Sequence, residues 1–193
     1  MGPGMDFERL QREIASPALK AIVAHWDQAR GANPMPKWSQ LRPSSMARQL
    51  NIVWAYKFDN GSREFIGRLA GNRITEGFGK NFRGTRLKDL HPPEQIPRIM
   101  DHMLRVVETP AVYKCSGTLF YKGATRGVGE RIMMPLGNGV VDGVIALRIM
   151  SWNPTQAIVT RSSFWAMTLS GSPCRDNQHH ISDHEFQSAG ARR

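Results

Sequence analysis

The sequence predicts an α+β fold, in which helices pack on one face of a five-stranded antiparallel sheet preceded by N-terminal amphipathic helices. Two observations carry this prediction. Apolar residues recur at helical spacing near the N terminus and over residues 93–108, and at every second position over residues 52–58. The segments run in the order helices, two strands, short helices, one long helix, three strands. This order separates a hairpin from a three-strand meander by a helical crossover.

The N-terminal segment contains two predicted helices joined to the sheet by a proline-rich connector. Ser16 followed by Pro17 is a helix-start signal, and Gly31 is placed to end the second helix. The apolar stripe of that helix consists of Leu19, Ile22, Val23 and Trp26. This stripe faces either the chain's own sheet or a partner. A homodimer or partner surface anchored by Trp26 is therefore one interpretation, and packing on the sheet is the other.

The predicted core occupies residues 49–152. Residues 52–58 alternate as a strand, Asn60-Gly61 gives the hairpin turn, and residues 63–70 return. A short helix is predicted after Asn72, and a long amphipathic helix over residues 93–108. Three further strands are predicted at residues 111–122, 128–136 and 140–151, separated by glycine-containing turns.

The length of 193 residues suits one domain with extensions. We interpret residues 1–5 as a cloning remnant and residues 6–48 as the N-terminal helices and connector. Residues 153–193 are expected to form a largely disordered C-terminal tail. Because the sequence contains neither a signal peptide nor a long apolar run, we expect a cytoplasmic protein without membrane insertion.

Charge and cysteine content narrow the classes of partner. The net charge of +10 attracts anionic partners, but the basic residues are scattered rather than gathered in one arm. A solvated surface is the favoured interpretation, and nucleic-acid binding is the less favoured alternative. Cys115 and Cys174 form no disulfide framework or CxxC pair, and we interpret Cys115 as a small buried apolar residue.

Two segments resemble a known family. Residues 68–74 read RLAGNRI and residues 78–84 read FGKNFRG, which is similar to the segment after the second strand in stand-alone PAS-domain proteins common in alphaproteobacteria. Shorter matches lie at Trp26, at Met35-Pro36 and at residues 134–139. The resemblance spans about residues 19–152. It implies a PAS-like core, and a sensory or regulatory module in signal transduction that binds a small molecule, signalling proteins or both.

A PAS-like fold implies a pocket between the sheet and its helices. The candidate ligand-binding residues are Trp54, Tyr56, Phe65, Arg68, Leu69, Met103 and Leu147. The same apolar residues would equally fill an ordinary core, which leaves a structural adaptor as the alternative function. Arg68 either pairs with an acidic ligand or faces solvent, and solvent is the favoured interpretation.

The sequence offers no cofactor site or catalytic set. His102 falls about 100° from the centre of the apolar stripe of its helix, which argues against an internal haem ligand. His91 is a lone histidine at a loop end, which is weak evidence for haem. Residues 72–79 lack the cysteine of photoactive flavin-binding relatives, so covalent flavin is not expected. No phosphate loop, HExxH, GxSxG or paired-carboxylate motif is present, so we expect neither a resident metal nor an enzyme.

No kinase, cyclase or helix-turn-helix segment follows the predicted core. We therefore expect output to pass to another chain through partner binding. The sequence does not identify the ligand, the partner or the oligomeric state.

Overall fold

The computed structural model describes residues 7–122, 125–153, 160–166 and 179–180. The α-helices of these residues are α1 (Phe7–Glu13), α2 (Pro17–Arg30), α3 (Asn72–Phe78), α4 (Leu87–Leu90) and α5 (Ile96–Glu108). The strands are β1 (Val53–Asp59), β2 (Glu64–Ala70), β3 (Ala111–Lys122), β4 (Thr125–Asn138), β5 (Val140–Asn153), β6 (Arg161–Ala166) and β7 (His179–His180). The described residues also form 3-10 helices at Trp38–Gln40, Pro43–Ile52 and Pro93–Gln95.

All strands belong to one antiparallel sheet with the order β2-β1-β5-β4-β3-β6-β7. The predicted hairpin and three-strand meander are confirmed, and β5 pairs with β1 to join them. The sheet is wider than the predicted five strands, because β6 pairs with β3. This strand lies in the stretch assigned from the sequence to the tail. Its Phe164 and Trp165 occupy opposite faces of the sheet, which gives the short segment apolar contacts on both sides.

The strand register defines two faces of the sheet. Residues directly opposite each other in neighbouring strands share a face. The inner face, which packs against α3, α4 and α5, includes Trp54, Tyr56, Arg131, Met133 and Arg148. The outer face includes Val53, Ala55, Ile132, Ile145 and Leu147.

The N-terminal helices cover the outer face. Ser16 caps α2 through its hydroxyl, which accepts a hydrogen bond from the Leu19 amide, and Gly31 ends the helix with φ of 56°. All four residues of the predicted stripe are 0–1% exposed. The Trp26 indole nitrogen donates a 3.0 Å hydrogen bond to the Pro135 carbonyl on β4. The apolar stripe of α2 is thus buried within its own chain, while Ala21, Ala24 and Gln28 on the opposite side are exposed.

The helix α5 packs on the inner face through Met103, Val106 and Val107. Cys115, on β3, is 2% exposed, as expected for a small apolar core residue. Within the part of the chain that the structure describes, every helix is too short or too polar to cross a bilayer.

Candidate functional site

A small cavity lies between the inner face and the helices α3, α4 and α5. Its volume is about 30 Å³. The sheet and the helices both contribute to its wall, which is formed by Trp54, Tyr56, Ile74, Phe78, Leu87, His91, Ile99, Met103, Arg131, Met133 and Arg148. Pockets that enclose drug-sized ligands measure roughly 300–1,000 Å³, so this cavity accommodates a small group rather than a haem or a flavin.

Three of the candidate residues named from the sequence line this cavity. Trp54 and Tyr56 reach it from β1, and Met103 reaches it from α5. A fourth, Phe65, is 1% exposed and packs beside the cavity against Phe58 and Tyr56, with ring centroids 4.7 and 6.3 Å apart. Phe65 therefore supports the wall without forming it.

The remaining three candidates lie elsewhere, which corrects their assignment as wall residues. Leu147 is opposite Val53 on the outer face. The register between β1 and β2 shifts after Ala55, so Arg68 becomes an extra residue and Leu69 falls opposite Ala55 on the outer face. Strict alternation along β2 would have placed Leu69 on the same face as Phe65, and the bulge reverses it.

Arg68 is exposed and stacks on Trp38, with its guanidinium carbon 4.2 Å from the ring centroid. It does not line the cavity. Of the two interpretations drawn from the sequence, the solvent-facing one describes its place in the fold.

Two arginines that line the cavity were not among the residues predicted from the sequence. Arg131 on β4 and Arg148 on β5 are directly opposite each other in the strand pair. The guanidinium carbon of Arg148 lies 5.7 Å from the Trp54 ring centroid, and that of Arg131 lies 5.9 Å from the Tyr113 ring centroid. The sequence did contain a signal for Arg148, which is the single charged residue inside the apolar run of residues 144–150. A charged residue in a central strand is rare unless it has a function or a partner.

The cavity contains hydrogen-bonding atoms that lack partners. Among the described residues, the Tyr56 hydroxyl and the Arg131 Nε are buried side-chain atoms without a hydrogen bond. None of the described residues that line the cavity carries a carboxylate. A buried donor without a hydrogen bond destabilises the folded protein, because it has lost its contact with water and gained no acceptor in exchange.

The electrostatic environment of the cavity is positive. Burial first, and then the neighbouring charge of Arg131, lowers the pKa of Arg148 to about 10, so its guanidinium stays charged at neutral pH. Burial, followed by the charges of Arg131 and Arg148, lowers the pKa of His91 to about 4, so its imidazole is neutral. Burial also raises the pKa of Tyr56, which keeps its hydroxyl protonated as a donor.

The position of His102 differs from the prediction. Helical geometry placed it on the polar side of α5, but its side chain is 8% exposed and stacks on Tyr113 with centroids 4.7 Å apart. The reason is β6, whose Phe164 covers this flank of α5 at 6.2 Å from the His102 ring. Residue His102 lies outside the cavity wall.

Metal ligands do not converge on this site. No group of three or more histidine, cysteine, aspartate or glutamate side chains is arranged to hold a metal among the residues with described positions. His91 contacts the Phe78 ring edge-on, with centroids 5.2 Å apart. The site can therefore bind through charge, hydrogen bonding and apolar contact.

The comparisons agree with the fold. A sequence model of the PAS domain family matches residues 14–146, which is more than half of the chain and includes α2 and the connector as well as the strands β1 to β5 up to residue 146. No curated protein and no solved structure matches the chain.

Proposed function

This chain belongs to the PAS domain family over residues 14–146, and from this we propose that it is a sensory or regulatory module that binds a small molecule between its inner face and α3 to α5. In this proposal the protein acts by binding rather than by catalysis. Signal output passes to a partner protein.

One observation carries the ligand half of the proposal. The cavity combines an aromatic and aliphatic wall with a few convergent polar groups, which is the usual composition of a small-molecule site. Tyr56 and Arg131 supply buried polar atoms without partners. An ordinary apolar core would leave no such atoms at its centre.

The partner half of the proposal concerns the N-terminal helices. Because the apolar stripe of α2 packs on its own sheet, a homodimer or signalling partner would contact the opposite side of the helix, where Ala21, Ala24 and Gln28 are exposed. The small side chains of Ala21 and Ala24 allow close approach of another helix. Substitution of Ala24 by Glu would then weaken the association measured by analytical ultracentrifugation.

A thermal-shift screen against a broad metabolite library tests ligand binding. A ligand raises the melting temperature in a concentration-dependent manner, because it binds the folded state alone. The variant Ile99→Phe adds bulk at the cavity wall and should abolish the response. The matched control Val140→Phe adds a similar side chain at a position that is 67% exposed, and should keep it.

A structural adaptor is the second candidate, and the small volume of the cavity favours it. In that case Trp54, Tyr56 and the methionines fill the core and the protein acts through its surface alone. Native mass spectrometry separates the two functions. An adaptor would show no bound small molecule and no metabolite-dependent melting shift, while keeping its protein partners.

A further inference from the structure

We propose that the cavity binds the carbonyl group of a small neutral molecule, whose oxygen accepts a hydrogen bond from the Tyr56 hydroxyl. This inference rests on the proposed function and names the chemical class of its ligand. It is carried by a buried donor without a partner, by the apolar residues around that side chain and by the size of the cavity.

The first argument is the hydroxyl of Tyr56. This side chain lines the cavity from β1 and is 3% exposed, and its oxygen has no hydrogen-bond partner among the described residues. Burial raises the pKa of Tyr56, so the hydroxyl is neutral and keeps its proton. A phenol donates one hydrogen bond, and a donor that is buried without an acceptor destabilises the folded state. A ligand that carries an acceptor oxygen would remove this cost.

The second argument is the aromatic cluster around Tyr56. Its ring packs against Phe82 and Phe65, with ring centroids 4.9 and 6.3 Å apart. Phe78, whose ring centroid lies 5.8 Å from that of Phe82, extends this cluster into the cavity wall. Moving a charged group from water into apolar surroundings costs far more than moving a carbonyl group that gains a hydrogen bond. A neutral acceptor therefore suits this part of the cavity better than an ion.

The two arginines of the cavity wall lie at a distance from Tyr56 along the sheet. Tyr56 is opposite Val144 on β5, and Arg148 is four residues further along that strand, about 13 Å away at roughly 3.3 Å per residue. Arg131 donates a hydrogen bond to the Tyr113 hydroxyl, and Arg148 also interacts with other residues of the chain. Both guanidinium groups are thus engaged within the protein, and their charge disfavours a cationic ligand.

The third argument is size. Since about 10–15 Å³ of cavity accommodates one water, the volume of about 30 Å³ suits a group of two or three heavy atoms, such as an acetyl group. The wall away from the sheet includes half-buried Phe78, His91 and Ile99. Burial, and then the charges of Arg131 and Arg148, lower the pKa of His91 to about 4, so its imidazole adds no charge there. This side of the cavity suits an apolar ring attached to the carbonyl group.

Isothermal titration calorimetry with four probes of one shape tests the ligand class. Acetophenone carries the carbonyl group, and α-methylstyrene has a methylene group in place of its oxygen. Benzoate and benzamidinium put an anion and a cation at the same position. We expect benzoate and benzamidinium to bind at least about tenfold more weakly than acetophenone, because each ion must lose its water at a site that offers one neutral donor.

The variant Tyr56→Phe isolates the hydrogen bond, because it removes the hydroxyl and keeps the ring. The affinity for acetophenone relative to α-methylstyrene should fall about three- to tenfold in this variant, which is the usual net effect of one hydrogen bond. The affinity for α-methylstyrene itself should not fall. The melting temperature of the ligand-free variant should equal or exceed that of the unaltered chain, because the hydroxyl has no partner among the described residues.

The matched control is Tyr113→Phe, at a tyrosine that is 1% exposed and lies outside the cavity wall. The Tyr113 hydroxyl is hydrogen-bonded within the protein, to Cys115 and Arg131. This control should keep the affinity ratio of acetophenone to α-methylstyrene that the unaltered chain has. Circular dichroism verifies that both variants are folded.

The outcomes separate this inference from the proposed function. The carbonyl inference is overturned if Tyr56→Phe keeps the affinity ratio, if Tyr113→Phe lowers it as much, or if benzoate binds as tightly as acetophenone. A lower melting temperature of ligand-free Tyr56→Phe also overturns it, because the hydroxyl would then be bonded within the protein. In each of these cases, a metabolite that raises the melting temperature leaves the ligand-binding function standing. If the probes and the metabolite library all fail to bind, both proposals are overturned.

Discussion

Glu130, on the outer face of β4, accepts a 3.0 Å hydrogen bond from the backbone amide of Ser16 at the start of α2. The same carboxylate accepts from the Ala15 amide and lies 3.4 Å from the Lys114 ammonium. Amide groups at a helix start have no partner within the helix, and a negative charge there also interacts favourably with the helix dipole. This carboxylate thus fixes the N-terminal helices to the sheet.

Glu130→Gln should destabilise the protein by about 2–4 kcal/mol, because it leaves the largely buried Lys114 without its counter-charge. Urea unfolding followed by tryptophan fluorescence measures the change. The double variant Glu130→Gln with Lys114→Met should recover part of the loss. The control Glu8→Gln, at a side chain that is 88% exposed, should change stability by less than about 0.5 kcal/mol. If Glu8→Gln lowered the unfolding free energy as much as Glu130→Gln, the assay would not be reporting on the contact between Glu130 and Lys114.

Stability should decrease in mild acid because of His102. Burial, and then the charges of Arg131 on the sheet and of Arg98 and Arg105 on α5, lower the pKa of His102 from an ordinary 6.5 to about 3. Between these values the unfolded chain binds more protons than the folded chain, so the stabilisation is complete above about pH 6.5 and is lost as the pH falls toward 3. The predicted slope is up to about 1.4 kcal/mol per pH unit.

The variant His102→Phe should remove this dependence and reduce the stability lost between pH 7 and pH 5 by about 1–2 kcal/mol. The control Tyr113→Phe keeps the aromatic stack and adds no group that titrates in acid, so it should keep the slope of the unaltered chain. Chemical unfolding at several pH values measures both. An unchanged slope in His102→Phe would contradict the prediction.

Position 67 requires glycine because the backbone of β2 there lies very close to the backbone of residues 82–85. Its amide donates to the Thr85 carbonyl at 2.9 Å, and its carbonyl accepts from Gly84 at 2.8 Å. A Cβ placed at Gly67 would lie 1.9 Å from the Phe82 carbonyl oxygen. Gly67→Ala should therefore cost more than about 3 kcal/mol or prevent folding.

The matched control for Gly67 is Gly61→Ala in the β1–β2 turn, where the nearest atom is 3.4 Å away and belongs to the side chain of Asp59. This variant should remain within about 1 kcal/mol of the unaltered chain. The melting temperature of purified protein, or its soluble yield, distinguishes them. Equal tolerance of both alanines would rule out the close approach at Gly67.

Arg131→Met should raise the unfolding free energy of the ligand-free protein by about 1–2 kcal/mol, because it removes a half-buried charge that lies opposite buried Arg148 and a buried Nε without a hydrogen bond. Urea unfolding in chloride buffer, free of carboxylates and phosphate, measures the change. Arg68→Met, at an exposed stacked arginine, is the control and should give no gain. A loss above about 2 kcal/mol in Arg131→Met would indicate a structural role in place of a ligand role.

The candidate site could be predicted only in part. Alternation along β1 identified Trp54 and Tyr56, and the apolar stripe of α5 identified Met103, because each lies on an element with one clear period. Leu147 was misplaced because a run that is apolar at successive positions does not reveal which face each residue occupies. Leu69 was misplaced because alternation along β2 gives no sign of the register shift that reverses its face. His102 was misplaced because the helix pattern carries no information about the strand β6 that covers its flank.

Local periodicity, turn residues and short motifs were enough to predict the order of elements, the hairpin, the meander and the family from the sequence. The contacts between these elements became clear only from the tertiary structure. It placed α2 on the outer face, shifted the register after Ala55, and brought Arg131 and Arg148 together from separate strands. Such pairings depend on register and on contacts distant in the chain, and a shift of one residue reverses the face that every side chain occupies.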